Sequence, residues 1–231
     1  MKIVQEDKNF LVINKDAGLA TQTAKLGEKD LFSEVKNYMV QNGEKGDPYL
    51  AIINRLDQPV EGLVLFAKNK ESASKLSAQL NAGKMDKKYL AVVYREVKER
   101  TGQLTDYMIK NRMTNLSEIV TSKNKDAKKA ELVYNVICSC NGSTLVEIKL
   151  LTGRHHQIRV QFSHLGFPLL GDLKYGSKES IAYGREKGIR VIALCAYKLS
   201  FYYPGTEKMV TYQIEPNHQI IREMYRGEVI D

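Results

Sequence analysis

Three segments carry side chains whose types and spacing can do chemistry. The first is Ile53-Asn54-Arg55-Leu56-Asp57-Gln58-Pro59-Val60-Glu61-Gly62-Leu63. Asp57 follows an apolar run, and Pro59 with Gly62 imposes a tight, irregular path. A carboxylate on such a loop beside an apolar sheet is partly desolvated, which tunes a nucleophile or a base. Asp ahead of X-Pro is also a common turn former, and spacing alone favours that plainer reading. The second is Leu151-Thr152-Gly153-Arg154-His155-His156-Gln157-Ile158-Arg159-Val160-Gln161-Phe162. Two Arg, two His and two Gln stand at the opening of an amphipathic helix, where anions are attracted and Arg binds carboxylate or phosphate bidentately. Arg154 and Arg159 are five apart, so they do not share a face and have different tasks. His155 and His156 point apart on a helix, against a paired metal site, and each also reads as a hydrogen-bonded structural residue. The third is Met85-Asp86-Lys87-Lys88-Tyr89-Leu90-Ala91-Val92. Tyr89 opens a strand, either as a core ring with its hydroxyl tied down or as a hydroxyl shown to a substrate.

The elements that must position these segments follow from periodicity. Strands are expected over residues 3–6, 10–14, 50–54, 63–67, 89–94, 104–109, 131–138, 144–150, 194–203 and 209–215. The run at 63–67 does not alternate, which suits burial on both faces. Helices are expected over 31–40 with Asp30 as N-cap, over 70–80 ending near Gly83, and over 155–165. A last helix carries Ile220, Ile221 and Met224, with Pro216 in its first turn. Residues 110–129 are polar and lysine-rich, an exposed connection with one short strand, and 171–176 reads as a loop. Strands cluster in runs with few helices between them. This predicts an α+β fold, a mixed, largely antiparallel central sheet with flanking helices and loops. Composition does not shift along the chain, so residues 1–231 are expected to form one domain.

Composition bounds the function. Of 231 residues 43% are hydrophobic, enough for a sizeable core. No run approaches eighteen apolar residues, which argues against a membrane-spanning helix. The first residues lack a signal-peptide pattern, and three Cys cannot build a disulfide framework, so a cytoplasmic setting is expected. Cys138-Ser139-Cys140 has no second C-x-C, which argues against a metal, and Cys195 in its apolar run reads as core. The formal charge of +8 attracts polyanions through phosphate neutralisation. There is no G-x-S-x-G, G-x-G-x-x-G or Walker pattern, which argues against the corresponding hydrolases, dehydrogenases and NTPases.

Taken in order, these segments resemble the RluA-type pseudouridine synthases. Glu6 to Lys15 with Ala17-Gly18-Leu19 is similar to that family's first block. Arg55-Leu56-Asp57 with Gly62-Leu63 and Phe66-Ala67-Lys68 is similar to its central signature. Lys88-Tyr89-Leu90-Ala91-Val92 is similar to its tyrosine block. Thr152-Gly153-Arg154 with His156-Gln157-Ile158-Arg159-Val160, then His164-Leu165-Gly166, Pro168-Leu169, Gly171-Asp172 and Tyr175-Gly176, is similar to its most diagnostic block. The chain departs from the pattern at Asp16, where Pro is usual, at Asn54, where His is usual, at Pro59-Val60-Glu61, where a Thr-Ser pair usually precedes the Gly, and at His155, Gln161 and Cys195.

The resemblance implies isomerisation of uridine to pseudouridine in ribosomal or transfer RNA, with no cofactor and no metal. It implies that Asp57 is the catalytic carboxylate, and that Tyr89 stacks on the target base and assists proton removal. It further implies that Arg154 pairs with Asp57 and keeps it ionised and oriented. Arg55 would help move the base out of its stack, and His156, Gln157 and Arg159 would bind substrate. The target base lies inside an RNA helix or loop, so it must be extruded into a pocket. The expected partner is RNA, with no membrane, acting as a monomer without a separate N-terminal RNA-binding domain. Two other readings compete with this one. One is a non-catalytic RNA-binding protein or RNA chaperone that keeps the fold. The other is a hydrolase built on Cys195, or on a Ser with one of the His, against which the apolar setting of Cys195 argues.

Overall fold

The structure, a computed structural model, describes residues 1–23 and 27–227. The chain divides into two compact units: Met1–Lys87 with Ala196–Glu215, and Lys88–Cys195 with the described residues from Pro216 onward.

The first unit holds β1 (Lys2–Glu6), β2 (Phe10–Lys15), α1 (Leu31–Gln41), β3 (Ala51–Ile52), β4 (Glu61–Ala67), α2 (Lys70–Asn81), most of β10 (Leu194–Tyr202) and β11 (Met209–Gln213). Its strands run in the order β1-β2-β4-β10, with β3 on β4 and β11 on β10. The β1–β2, β2–β4, β3–β4 and β10–β11 pairs are antiparallel. β2 and β4 are buried at every position, which is why their sequences are apolar without alternation. Phe10, Val12, Leu63, Leu65, Leu76, Leu199 and Phe201 share one core, with the Phe10 and Phe201 rings edge to face at 5.2 Å. Gly62 cannot be replaced cheaply. Its φ is +124°, and a Cβ would lie 2.4 Å from the Ala196 carbonyl oxygen.

Helix α1 buries Leu31, Val35 and Met39, one stripe at four-residue spacing. Asp30 caps it as expected: Oδ1 accepts the Ser33 N–H at 2.8 Å, and Oδ2 accepts the Thr23 N–H at 2.7 Å. Burial works against the Asp30 anion, but these donors prevail and hold its pKa below the usual carboxylate value. Asp30→Ala is therefore expected to cost about 1–2 kcal/mol at neutral pH. With a depressed folded pKa, the anion's contribution is complete above the unfolded pKa of about 4 and fades as pH falls through the folded value. Urea unfolding of both proteins at pH 7 and pH 2.5 checks this: the gap narrows in acid.

The second unit holds β5 (Asp86–Tyr94, from Lys88 on), β6 (Thr101–Asn111), β7 (Leu116–Val120), β8 (Lys128–Cys140), β9 (Ser143–Leu150), α3 (Gln157–His164), α4 (Lys178–Glu186) and α5 (Gln219–Arg226). Its strands lie in the order β5-β9-β8-β6-β7, antiparallel throughout. The expected α+β architecture with a mostly antiparallel sheet is what the chain adopts. No described helix is long and apolar enough to cross a membrane.

Four local expectations are corrected. The strand over 50–54 shrinks to Ala51–Ile52, because Asn54 pairs with β4 through its side chain. The helix over 155–165 begins only at Gln157, since His156 is left-handed with φ +55°. The final helix starts at Gln219, past Pro216, with His218 as its cap. Helix α4 was not expected; Ser177 caps it by accepting the Ser180 N–H at 3.1 Å.

Candidate active site

In the first unit, the turn carrying Asp57 is staked on both sides. Upstream, Asn54 replaces a stretch of strand ladder: its Nδ2 donates to Leu63 O at 3.1 Å, and its Oδ1 accepts the Leu65 N–H at 2.8 Å. Next to Asp57, the Thr21 hydroxyl accepts the Leu56 N–H at 3.2 Å and donates to Leu56 O at 2.9 Å. Downstream, Gln58 O accepts from Gly18 N at 2.9 Å and from Lys15 Nζ at 3.1 Å. The Val60 N–H closes the turn onto Asp57 O at 3.0 Å. Asp57 itself is half-buried and Arg55 is exposed. The arrangement holds the backbone on both sides of Asp57 in place.

Lys15 is the most unusual member. It is fully buried, yet its ammonium donates to Asp16 O at 2.9 Å, Leu19 O at 2.7 Å and Gln58 O at 3.1 Å. Burial pulls its pKa down to about 8, with the negative charges of Asp57, Asp16 and Glu61 pulling the other way. Its one local signal in the sequence is a cation ending an otherwise apolar strand.

In the second unit, the segment before α3 is a dense polar network. Gln157 is buried with its amide saturated. Its Oε1 accepts from Thr152 Oγ1 at 2.8 Å and Arg154 N at 2.9 Å, and its Nε2 donates to Glu131 O and to Gln161 Oε1, both at 3.0 Å. Arg159 is buried too, forked onto Asp172: Nε to Oδ2 and Nη2 to Oδ1, each at 2.8 Å. Its guanidinium also lies 5.1 Å from the centre of the Tyr175 ring. Arg154 is exposed, with its Nε donating to Lys129 O at 2.8 Å. The two arginines thus stand in different settings, one buried and one exposed.

The histidines differ from their expected arrangement. Their rings stack at 3.7 Å instead of pointing apart, because the left-handed His156 lies ahead of the helix. His155 Nδ1 and Ser117 Oγ share a hydrogen bond of 2.8 Å. The Tyr175 hydroxyl accepts the Ser117 N–H at 2.8 Å and shares a hydrogen bond of 2.7 Å with His156 Nδ1. Tyr89 lies buried on β5 opposite Ile148 of β9. Cys195 is fully buried in β10. Among the described residues no cluster of three His, Cys, Asp or Glu could hold a metal ion.

Comparison with known proteins follows the same residues. A family model described as RNA pseudouridylate synthase matches residues 9–164. The chain is similar to Ribosomal large subunit pseudouridine synthase C of Rickettsia prowazekii (strain Madrid E), with 33% identity over 184 residues, 79% of this chain and 59% of that protein. It thus spans about three fifths of that relative's length. It is also similar to tRNA pseudouridine synthase C of Vibrio vulnificus (strain CMCP6), with 29% identity over 227 residues, 93% of this chain and 90% of that protein. Among solved structures, Human RNA Pseudouridylate Synthase Domain Containing 4 superposes with a TM-score of 0.78 at 24% identity, covering 97% of this chain and 92% of that one, a likeness of fold.

Proposed function

Because the chain belongs to the RNA pseudouridylate synthase family, in its RluA-type branch, we propose that it isomerises uridine to pseudouridine within structured RNA, with Asp57 as the attacking carboxylate. The observation that carries this reading is the Asp57 turn. It is a half-buried carboxylate on a backbone fixed on both sides, at Asn54, Leu56 and Gln58. Tyr89 is the ring that stacks on the extruded base and assists proton removal, and Arg55, exposed beside the nucleophile, enters the space the base vacates. The names of the relatives point to ribosomal or transfer RNA as the substrate class. The net charge of +8 suits phosphate contact.

The resemblance gives Arg154 the task of steadying the anionic nucleophile. Arg154 is exposed, a setting that also suits an RNA phosphate. Arg159 is buried and forked onto Asp172, which braces the segment that carries both arginines. Gln157 and His156 then serve by fixing the turn between the two arginines.

The direct test is a map of pseudouridine in cellular RNA with and without the gene. Discrete uridines in ribosomal or transfer RNA are expected to lose the modification and regain it on complementation. Identical maps would refute the reading.

A further inference from the structure

The two flanks of Asp57 are held by groups of different kinds. On the far side, the hold on Gln58 comes from a backbone N–H and an ammonium. On the near side, one hydroxyl binds Leu56 twice. Thr21 Oγ1 takes the Leu56 N–H and gives its proton to Leu56 O, and both residues are buried. A hydroxyl has one proton and two acceptor sites, so this geometry uses its donor fully. The Leu56 carbonyl belongs to the rigid peptide plane that also carries the Asp57 nitrogen. Fixing that oxygen fixes the plane from which the Asp57 side chain departs.

Thr21 is itself referenced to a rigid element. Its carbonyl accepts the Phe32 N–H at 3.1 Å, and the Ala20 carbonyl accepts the Leu31 N–H at 2.9 Å. Two residues on, the Thr23 N–H is held by the cap of the same helix, Asp30. Residues 20–23 are therefore laid along the first turn of α1, and the Thr21 side chain carries that reference 35 residues along the sequence to the peptide before Asp57.

We propose that Thr21 is a positioning residue for the reaction: its hydroxyl sets the direction in which Asp57 presents its carboxylate, without touching RNA. The proposal rests on the reading of Asp57 as the nucleophile. It separates Thr21 from an ordinary buried hydroxyl by what its loss changes. A nucleophile displaced by about 1 Å costs on the order of 100-fold in rate while leaving substrate binding alone.

The experiment compares Thr21→Val, which keeps the shape and removes the hydroxyl, with Thr21→Ser, which keeps the hydroxyl. Both are assayed under single-turnover conditions on the RNA that the wild-type protein modifies, well below their unfolding temperatures. For Thr21→Val the rate at saturating enzyme is expected to fall by about 10- to 100-fold, with the half-saturating concentration within about threefold of wild type. Thr21→Ser is expected to recover to within about threefold. An unchanged Thr21→Val rate overturns the proposal. So does a loss confined to half-saturation, or a Ser variant as slow as the Val one. If Thr21→Val does not fold, Thr21→Ala is read by the same criteria. Asp57→Ala is run alongside. Activity in that variant removes the nucleophile reading itself, whereas an inactive Asp57→Ala beside an unimpaired Thr21→Val removes only the role of Thr21.

Discussion

Asp57→Ala is expected to abolish pseudouridine formation in RNA from a strain lacking the gene, by at least about 10⁴-fold in rate. RNA affinity should stay within a few-fold, because the backbone on both sides of Asp57 has holds of its own. Leu56 is held by Thr21, Gln58 by Gly18 and Lys15, and the Val60 N–H bonds to the Asp57 backbone oxygen, which alanine also possesses. The substitution does remove one of the charges that offset Lys15 burial, so a modest loss of stability accompanies it. Two measurements check the result: pseudouridine content after incubation, and filter binding of the same RNA. A variant that still restored the modification would show that another group attacks the uridine.

The second large effect is on stability. Asp172→Ala leaves the Arg159 guanidinium buried without its anion. Asp172 also accepts the backbone N–H groups of Lys174 at 2.9 Å and Tyr175 at 3.2 Å, so its removal unties the loop as well. Breaking one side of a buried pair typically costs about 3–5 kcal/mol. For a chain of this size that lowers the melting temperature by roughly 6–20 °C. Asp172→Asn keeps one acceptor oxygen in place and should lose less. Thermal unfolding followed by circular dichroism measures both variants. An alanine variant melting within about 2 °C of wild type, less than 1 kcal/mol, would show that Arg159 is held by other means.

Much of the scaffold was legible because its signals are local. The unbroken apolar runs of β2 and β4, and the Leu31, Val35, Met39 stripe behind Asp30, each state their own burial. Helix α4 was not legible, since the residues it buries are Ser180 and Gly184, which no hydrophobic period can reveal. The histidine pair misled for a different reason. A helical spacing argument assumes helical backbone, and His156 is left-handed. Around the candidate site the decisive contacts join residues far apart in sequence. Thr21 meets Leu56, Asn54 meets β4, and Arg159 meets Asp172 across a loop. Spacing alone favours a turn former at Asp57, and only the order of motifs along the chain points to a nucleophile.

Lys15 makes the Asp57 turn its own reporter. An amine-acylating reagent reaches a surface lysine at once, but it can reach this enclosed nitrogen only when the surrounding carbonyls let go. Its labelling rate, read by mass spectrometry against those of exposed lysines, would therefore clock how often the segment breathes open. Slower labelling in the presence of RNA would mean that substrate clasps the very stretch of chain that carries the reacting acid.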